Sequence, residues 1–336
     1  MRYFLRVKKR QKKENIDPAN IVIQNDWDNH MQSFKDKVAV ITGAGSGMGQ
    51  QLAINLAKEN CNVVICDINK KTIQETEDII RNYNVSCTAL NLDLRDDKNI
   101  KTLLETTLKN YNKVDLLFNN AGVVAPSSFL NLSEEDWDWC NDINYNALVK
   151  LSRVFLPYLM KSDEGALINT SSIFGIITTP NNTVYHSSKF AVRGFTESLA
   201  MELRDEKIQI HSVYPGHIGT NIVLDAKFDK DFLTVENENK NNPDSNQVTL
   251  QEFGSTFKDT GMNPNKAAKI ILKGVKRNKK RIFVGLDAKV MEIAQRITPS
   301  HFMKLIPFLN LLIFPYFIKR LKMTRVLISI AKSRKS

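Results

Sequence analysis

Near its start the chain passes from a short apolar run straight into a glycine-rich turn, and no other feature limits the fold so tightly. Val38-Ala39-Val40-Ile41 leads into Thr42-Gly43-Ala44-Gly45-Ser46-Gly47-Met48-Gly49, after which Leu52, Ala53, Leu56 and Ala57 recur at helical spacing. A continuous apolar run of this length suits a strand covered on both faces. Strand, glycine turn and helix in succession open a βαβ unit, which calls for a parallel sheet flanked by helices. Glycines in that turn let the backbone bend sharply and approach an anion seated on the helix N-terminus, as a dinucleotide pyrophosphate requires. The spacing is Gly43-x-x-x-Gly47-x-Gly49, not the commoner G-x-G-x-x-G.

The alternation continues down the chain. Asn62-Val63-Val64-Ile65-Cys66 forms a second apolar run that ends at Asp67. A carboxylate at the tip of a second strand can accept both hydroxyls of an adenosine ribose and repels a 2′-phosphate. That favours NAD, while Lys70 and Lys71 close behind keep NADP as the less favoured alternative. A helix is expected over 70–82, a strand over 87–92 ending at Asp93-Leu94, and a helix over 97–110. Val114-Asp115-Leu116-Leu117-Phe118 then runs into Asn119-Asn120-Ala121-Gly122, and a long helical stretch over 133–162 contains Asn144. A strand at Ala166-Leu167-Ile168, a helix over 183–204 and a strand over 208–213, closed by Pro215-Gly216, complete the pattern. The expected fold is α/β, a Rossmann-type doubly wound parallel sheet of about seven strands with helices on both faces, in a single domain at 35–290.

Chemistry concentrates in one stretch. Tyr185 and Lys189 are four residues apart and share one helix face, and Ser172 lies thirteen residues before the tyrosine at the end of an apolar run. A free phenol titrates at about 10. A lysine ammonium nearby favours phenolate and lowers that value, which would make the tyrosine a usable proton acceptor for an alcohol. His186, His211, His217 and His301 lack metal-ligand spacing, so no metal is expected.

These motifs, in this order and at these strand ends, resemble the short-chain dehydrogenase/reductase family over about residues 36–290. The markers are Thr42-Gly43-x-x-x-Gly47-x-Gly49, Asp93, Asn119-Asn120-Ala121-Gly122, Asn144, Ser172, Tyr185-x-x-x-Lys189, and Pro215-Gly216 with Thr220. The resemblance implies Tyr185 as proton acceptor and donor, with Lys189 lowering its pKa and holding the nicotinamide ribose. It implies Ser172 on the substrate oxygen and Asn144 holding a water that links Lys189 to solvent. The cofactor contacts it implies are Gly43, Ser46, Gly47, Met48, Gly49, Asp67, Ile68, Asp93, Leu94, Asn120, Ala121, Gly122, Tyr185, Lys189, Pro215, Gly216, Ile218 and Thr220. Family members usually assemble through two long helices, here 144–162 and 183–204, so a homodimer or homotetramer is expected.

The net charge of +11 sits at the two ends. Residues 1–13 hold seven Lys/Arg and no acid, and residues 301–336 hold eight and no acid, which leaves the body between them mildly acidic. Residues 1–34 read as a flexible basic arm. No basic face with groove-reading elements is apparent, so no nucleic acid partner is expected. The polar run over 237–246, inside 221–262, reads as a mobile lid over the substrate or as a surface insertion. Residues 305–318 are fourteen in a row without charge, short of the roughly 20 a spanning helix needs. With four aromatic rings and flanking Lys304, Lys319, Arg320 and Lys322, the tail over 291–336 reads as a membrane-interface segment, or as a flap on the pocket or a subunit contact. Four scattered cysteines suit buried thiols in a reducing compartment, so a cytoplasmic protein, peripheral on an intracellular membrane, is expected. The activity expected is NAD-linked interconversion of an apolar, secondary or lipid-like alcohol and its carbonyl, such as a steroid or retinoid. The alternatives are an NADPH-dependent carbonyl or ketoacyl reductase and, more distantly, a non-catalytic nucleotide-binding membrane scaffold.

Overall fold

Each residue of the first strand, β1 (Val38–Thr42), is buried, and its alternation feeds two cores. Val38 and Val40 face one and Ala39 and Ile41 the other, which is why the run carries no polar residue before Thr42. The computed structural model describes residues 30–228, 250–302 and 304. Within them β1, β2 (Asn62–Asp67), β3 (Cys87–Asn91), β4 (Leu116–Asn119), β5 (Ala166–Thr170), β6 (Gln209–Pro215) and β7 (Arg281–Val284) form one parallel sheet, in the order β3-β2-β1-β4-β5-β6-β7. Strand order reverses between β1 and β4, and that switch point opens a crevice beyond the carboxyl ends of the strands.

Helices cover both faces. α1 (Gly47–Lys58), α2 (Lys70–Ile80) and α8 (Pro264–Lys276) bury Leu52, Leu56, Ile73 and Ile271 on one face. α3 (Asp97–Tyr111) and α5 (Ala147–Leu159) bury Leu103, Leu151 and Phe155 on the other, where α6 (Thr183–Glu202) also packs. The single helix expected over 133–162 is instead broken. α4 (Glu134–Asn141) gives way to a π-helical turn at Asp142–Asn146 before α5 begins.

The packed body reaches beyond both expected boundaries. Met31 and Phe34, from the end of the expected arm, are buried in the first core. α9 (Leu286–Ile297) runs across residue 290, and Phe302 is buried against Tyr214 and Ile173. The segment expected as a lid over 221–262 is described at its two ends, a 3₁₀ turn at Asn221–Val223 and helix α7 (Leu250–Thr260). Residues 1–29, the polar run over 237–246 and the apolar run over 305–318 lie outside the described residues. Among the described residues no helix is long and apolar enough to cross a membrane.

One buried group links the sheet to pH. His211 on β6 is fully buried, its Nδ1 lies 2.8 Å from the Lys279 carbonyl, and its Nε2 has no partner. Burial pulls its pKa down to about 4, so the folded chain holds the ring neutral with the proton on Nδ1. A histidine depressed in this way stabilises the fold above its unfolded value of about 6.5 and loses that contribution as pH falls toward about 4, on the order of 3 kcal/mol. Melting temperature is therefore expected to drop across that window. His211→Asn, which keeps an N–H for the carbonyl and cannot titrate, should flatten the drop when melts are followed against pH.

Candidate active site

The crevice at the switch point is built first by backbone. Gly43 takes a φ of +64°, a conformation side chains disfavour, and turns the chain out of β1. Gly49 meets a different limit, since a Cβ there would fall 2.0 Å from the Gly43 carbonyl oxygen and 2.6 Å from Asn120 Nδ2. Thr42 joins the two sides, its Oγ1 accepting from the N–H groups of Asn120 (3.0 Å) and Ala121 (3.1 Å). Asn120 Nδ2 donates back to the Thr42 carbonyl at 3.1 Å. The glycine turn forms one wall of a cleft of about 810 Å³ that Thr72, Gly219, Thr220 and Lys258 also line.

Asp67 stands at the tip of β2 as expected, and its carboxylate also braces the turn. Its Oδ2 accepts from Gly45 N–H and its Oδ1 from Asn69 N–H, each at 2.9 Å. Thr76 Oγ1 holds the Ala44 carbonyl at 3.0 Å from α2. Asp225, beyond the 3₁₀ turn, has its carboxyl held above the usual range by partial burial and by the Asp67 charge, against a lowering by Lys258. Of the other expected contacts here, Ile68 is exposed, and Met48 is half-buried against the first core. Asp93 is clasped by Arg95 at 2.6 Å, which holds its carboxyl below the usual range, and Leu94 is buried in the second core.

A nicotinamide dinucleotide fits what these residues present. Ser46 precedes α1 without capping it by side chain, and the first turn carries no acid, which leaves the helix N-terminus open to a phosphate. Asn120 Oδ1 is buried without a partner. Gly43 and Gly49 keep clear the space a Cβ would fill. At the other end Pro215 closes β6, Gly216 N–H bonds the Val284 carbonyl, and Thr220 Oγ1 accepts from Ile222 N–H. Ile218 is buried and bridges to Met262, which ties this loop to the end of α7.

Four side chains converge beyond β5 and β4. Ser172 follows β5 and acts on the Tyr185 phenol by lowering its pKa, while its Oγ accepts from Phe174 N–H at 3.1 Å. Tyr185 and Lys189 lie one helical turn apart near the start of α6, both buried, with Lys189 Nζ 5.6 Å from the centre of the phenol ring. Phe174 stands edge-on to that ring at 6.2 Å. Lys189 Nζ donates to the Thr170 carbonyl at 3.1 Å. Asn144 sits in the π turn with its amide clamped on Val123, accepting from its N–H at 2.8 Å and donating to its carbonyl at 2.9 Å. A Cβ on Gly122 would lie 3.2 Å from both Asn144 Oδ1 and Lys189 Nζ, so the Asn120-Ala121-Gly122 segment runs directly past the pair.

The electrostatics correct one expectation. Burial is the largest influence on Tyr185 and pushes its pKa up to about 12, opposed by the Ser172 hydrogen bond. Burial likewise brings Lys189 down to about 8. Burial outweighs any lowering of the phenol by the lysine charge, because desolvation penalises both charged forms. The phenol is therefore held as a proton donor at neutral pH.

Several supports were not singled out by sequence. Ser188 Oγ accepts from Asn144 Nδ2 at 3.1 Å and donates to the Tyr185 carbonyl at 2.8 Å. Ser171 Oγ donates to the Lys189 carbonyl at 2.8 Å. Both fix the turn of α6 that carries the phenol and the ammonium, and small hydroxyl residues in a Ser-rich stretch give no signal of that role.

Comparison with known proteins agrees with this geometry. Residues 37–230 match the family described as short chain dehydrogenase. A Mycobacterium tuberculosis protein named as an oxidoreductase, SadH, is 30% identical over 278 residues, covering 82% of this chain and 96% of its own length. Cyclohexanol dehydrogenase of an Acinetobacter species is 35% identical over 193 residues, covering 57% of this chain and 77% of its own. Among solved structures, a short chain dehydrogenase/reductase of Burkholderia phymatum in complex with NAD superposes with a TM-score of 0.69 at 26% identity, covering 80% of this chain and 96% of that one.

Proposed function

Because the chain belongs to the short-chain dehydrogenase family, we propose that it interconverts an apolar alcohol and its carbonyl with NAD, with Tyr185 carrying the proton. The observation that carries this reading is the convergence of Asn144, Ser172, Tyr185 and Lys189 beside the glycine-lined crevice. A bound nicotinamide supplies the hydride donor or acceptor. In reduction the Tyr185 phenol gives its proton to the carbonyl oxygen, and in oxidation its phenolate takes the proton from the hydroxyl. The Ser172 hydroxyl, which follows β5 at the mouth of the site, donates to the substrate oxygen as charge develops there. Lys189, when protonated, offsets negative charge on the tyrosine oxygen and on the reacting oxygen. Asn144 holds the Val123 backbone, and through it the segment that passes Lys189.

An apolar substrate is supported by Phe174, edge-on to the Tyr185 ring. The name of the Acinetobacter relative points to a cyclic secondary alcohol, which makes cyclohexanol a first test compound. NAD is favoured over NADP by the Asp67 carboxylate at the tip of β2, which disfavours a 2′-phosphate. Lys71 Nζ lies 4.0 Å from Glu75 on the exposed face of α2. Assembly through α5 and α6 is part of the same reading.

Nucleotide titration tests the cofactor assignment. NAD should bind at least about tenfold more tightly than NADP, a difference of about 1.4 kcal/mol. Asp67→Asn, which keeps an acceptor for the Gly45 N–H and removes the charge, should narrow that gap. An unchanged preference in Asp67→Asn would remove Asp67 from the selection.

A further inference from the structure

The geometry points to the outward face of α9 as a docking surface for an anionic lipid bilayer. α9 has two unlike sides. Inward, Ala288 and Met291 are buried against Ile173, Ile176, Ile177 and Tyr214. Outward, Leu286 is 76% exposed, Ile293 53% and Ile297 73%, at spacings of seven and four that place them on one stripe. Apolar side chains this open on a surface helix mark a contact site when they lie together.

Charge selects the partner. Both acids of α9 are turned into the protein. Asp287 accepts from His217 N–H at 2.5 Å, and Glu292, whose side chain is 12% exposed, pairs with Arg296 and Arg281. The exposed charged positions on α9 are the cations Lys289 and Arg296. Beyond the helix, residues 305–336 carry seven Lys/Arg and no acid, and they open with the apolar run over 305–318. An apolar stripe flanked by cations, continued by an apolar and basic segment, is what an in-plane contact with anionic lipid requires.

The placement has a consequence for access. The inner side of α9 packs on the segment that follows Ser172, and Phe174 of that segment stands against Tyr185. Docking through the outer side leaves one helix thickness, on the order of 10 Å, between bilayer and that segment. An apolar alcohol dissolved in the bilayer would then reach the crevice with little exposure to water. The docking surface itself does not depend on the catalytic reading.

Flotation of the full chain with phosphatidylcholine–phosphatidylserine vesicles, against pure phosphatidylcholine vesicles, tests this. Wild type should float with the anionic vesicles and far less with the neutral ones. Ile293→Glu/Ile297→Glu should lower the partition by more than about tenfold while melting temperature, NAD binding and molar mass by light scattering stay unchanged. Equal flotation of wild type and the double variant would overturn the proposal by assigning any binding to residues 305–336 alone. Failure of wild type to float would overturn it outright. A fall in molar mass in the double variant would also overturn it, by showing that the stripe joins two copies of the chain. NAD binding, read on the same samples, separates failure here from failure of the enzyme assignment.

Discussion

Tyr185→Phe is expected to lower kcat by roughly 10²–10⁴-fold, the range a positioned acid–base group contributes, with nucleotide affinity within about threefold of wild type. The substitution removes one oxygen and leaves the ring. Its edge-on contact with Phe174 and its burial at the start of α6 remain, so the fold should tolerate the change. What is lost is the hydroxyl and the proton that it carries. The pH dependence of the wild type gives the same group a second signature. Burial raises this phenol to about 12, so the phenolate that alcohol oxidation requires grows with pH through the neutral and alkaline range. Oxidation should accelerate by up to about tenfold per pH unit until Lys189 loses its proton near 8, and more slowly beyond that point. Carbonyl reduction uses the phenol and should not rise. Tyr185→Phe should abolish the slope along with the rate, which distinguishes a proton carrier from a residue that only shapes the pocket.

Gly49→Ala is expected to damage both the fold and nucleotide binding. Its Cβ would lie 2.0 Å from the Gly43 carbonyl oxygen, a backbone atom that cannot rotate away, and 2.6 Å from the Asn120 amide that ties the turn to β4. Either α1 moves off the turn or the turn moves off β4. Overpacking of this kind costs about 1–3 kcal/mol of stability, seen as a lower denaturation midpoint. The larger effect is on nucleotide binding. The same displacement misplaces the open N–H groups at the start of α1, and a loss of about 3 kcal/mol there corresponds to more than about 100-fold in Kd. By contrast Gly194→Ala, on α6, meets nothing within 4 Å and should leave affinity untouched. Calorimetric titration of NAD into the two variants compares them directly.

The parts of this molecule that the sequence disclosed are those where one residue type is the only physical solution. Glycines at 43, 47 and 49 next to an apolar run could serve little except a tight turn under a helix, and the turn is where they place it. Tyr185 and Lys189 share a helix turn because four residues make one. Features that depend on a slip or a depth were not legible. The π turn around Asn144 adds less than one residue to a helix, too small a change for apolar periodicity to register, yet it sets the amide on Val123. Helix α7 lies beside a polar, repetitive run that masks its own pattern, and α9 crosses residue 290, where the motifs of the family resemblance run out. The direction of the Tyr185 shift is hidden from the sequence for a related reason. Spacing shows that a lysine is near, but only the packed structure shows that both groups are buried deeply enough for desolvation to win.

The central claim is best tested by incubating the purified chain with NAD and a panel of apolar alcohols, beginning with cyclohexanol, and following NADH formation beside Tyr185→Phe. NADH formation is expected with at least one panel alcohol, together with a loss of roughly 10²-fold or more in the variant despite retained NAD binding. Absence of binding to either nucleotide, or turnover that survives intact in Tyr185→Phe, would contradict the claim.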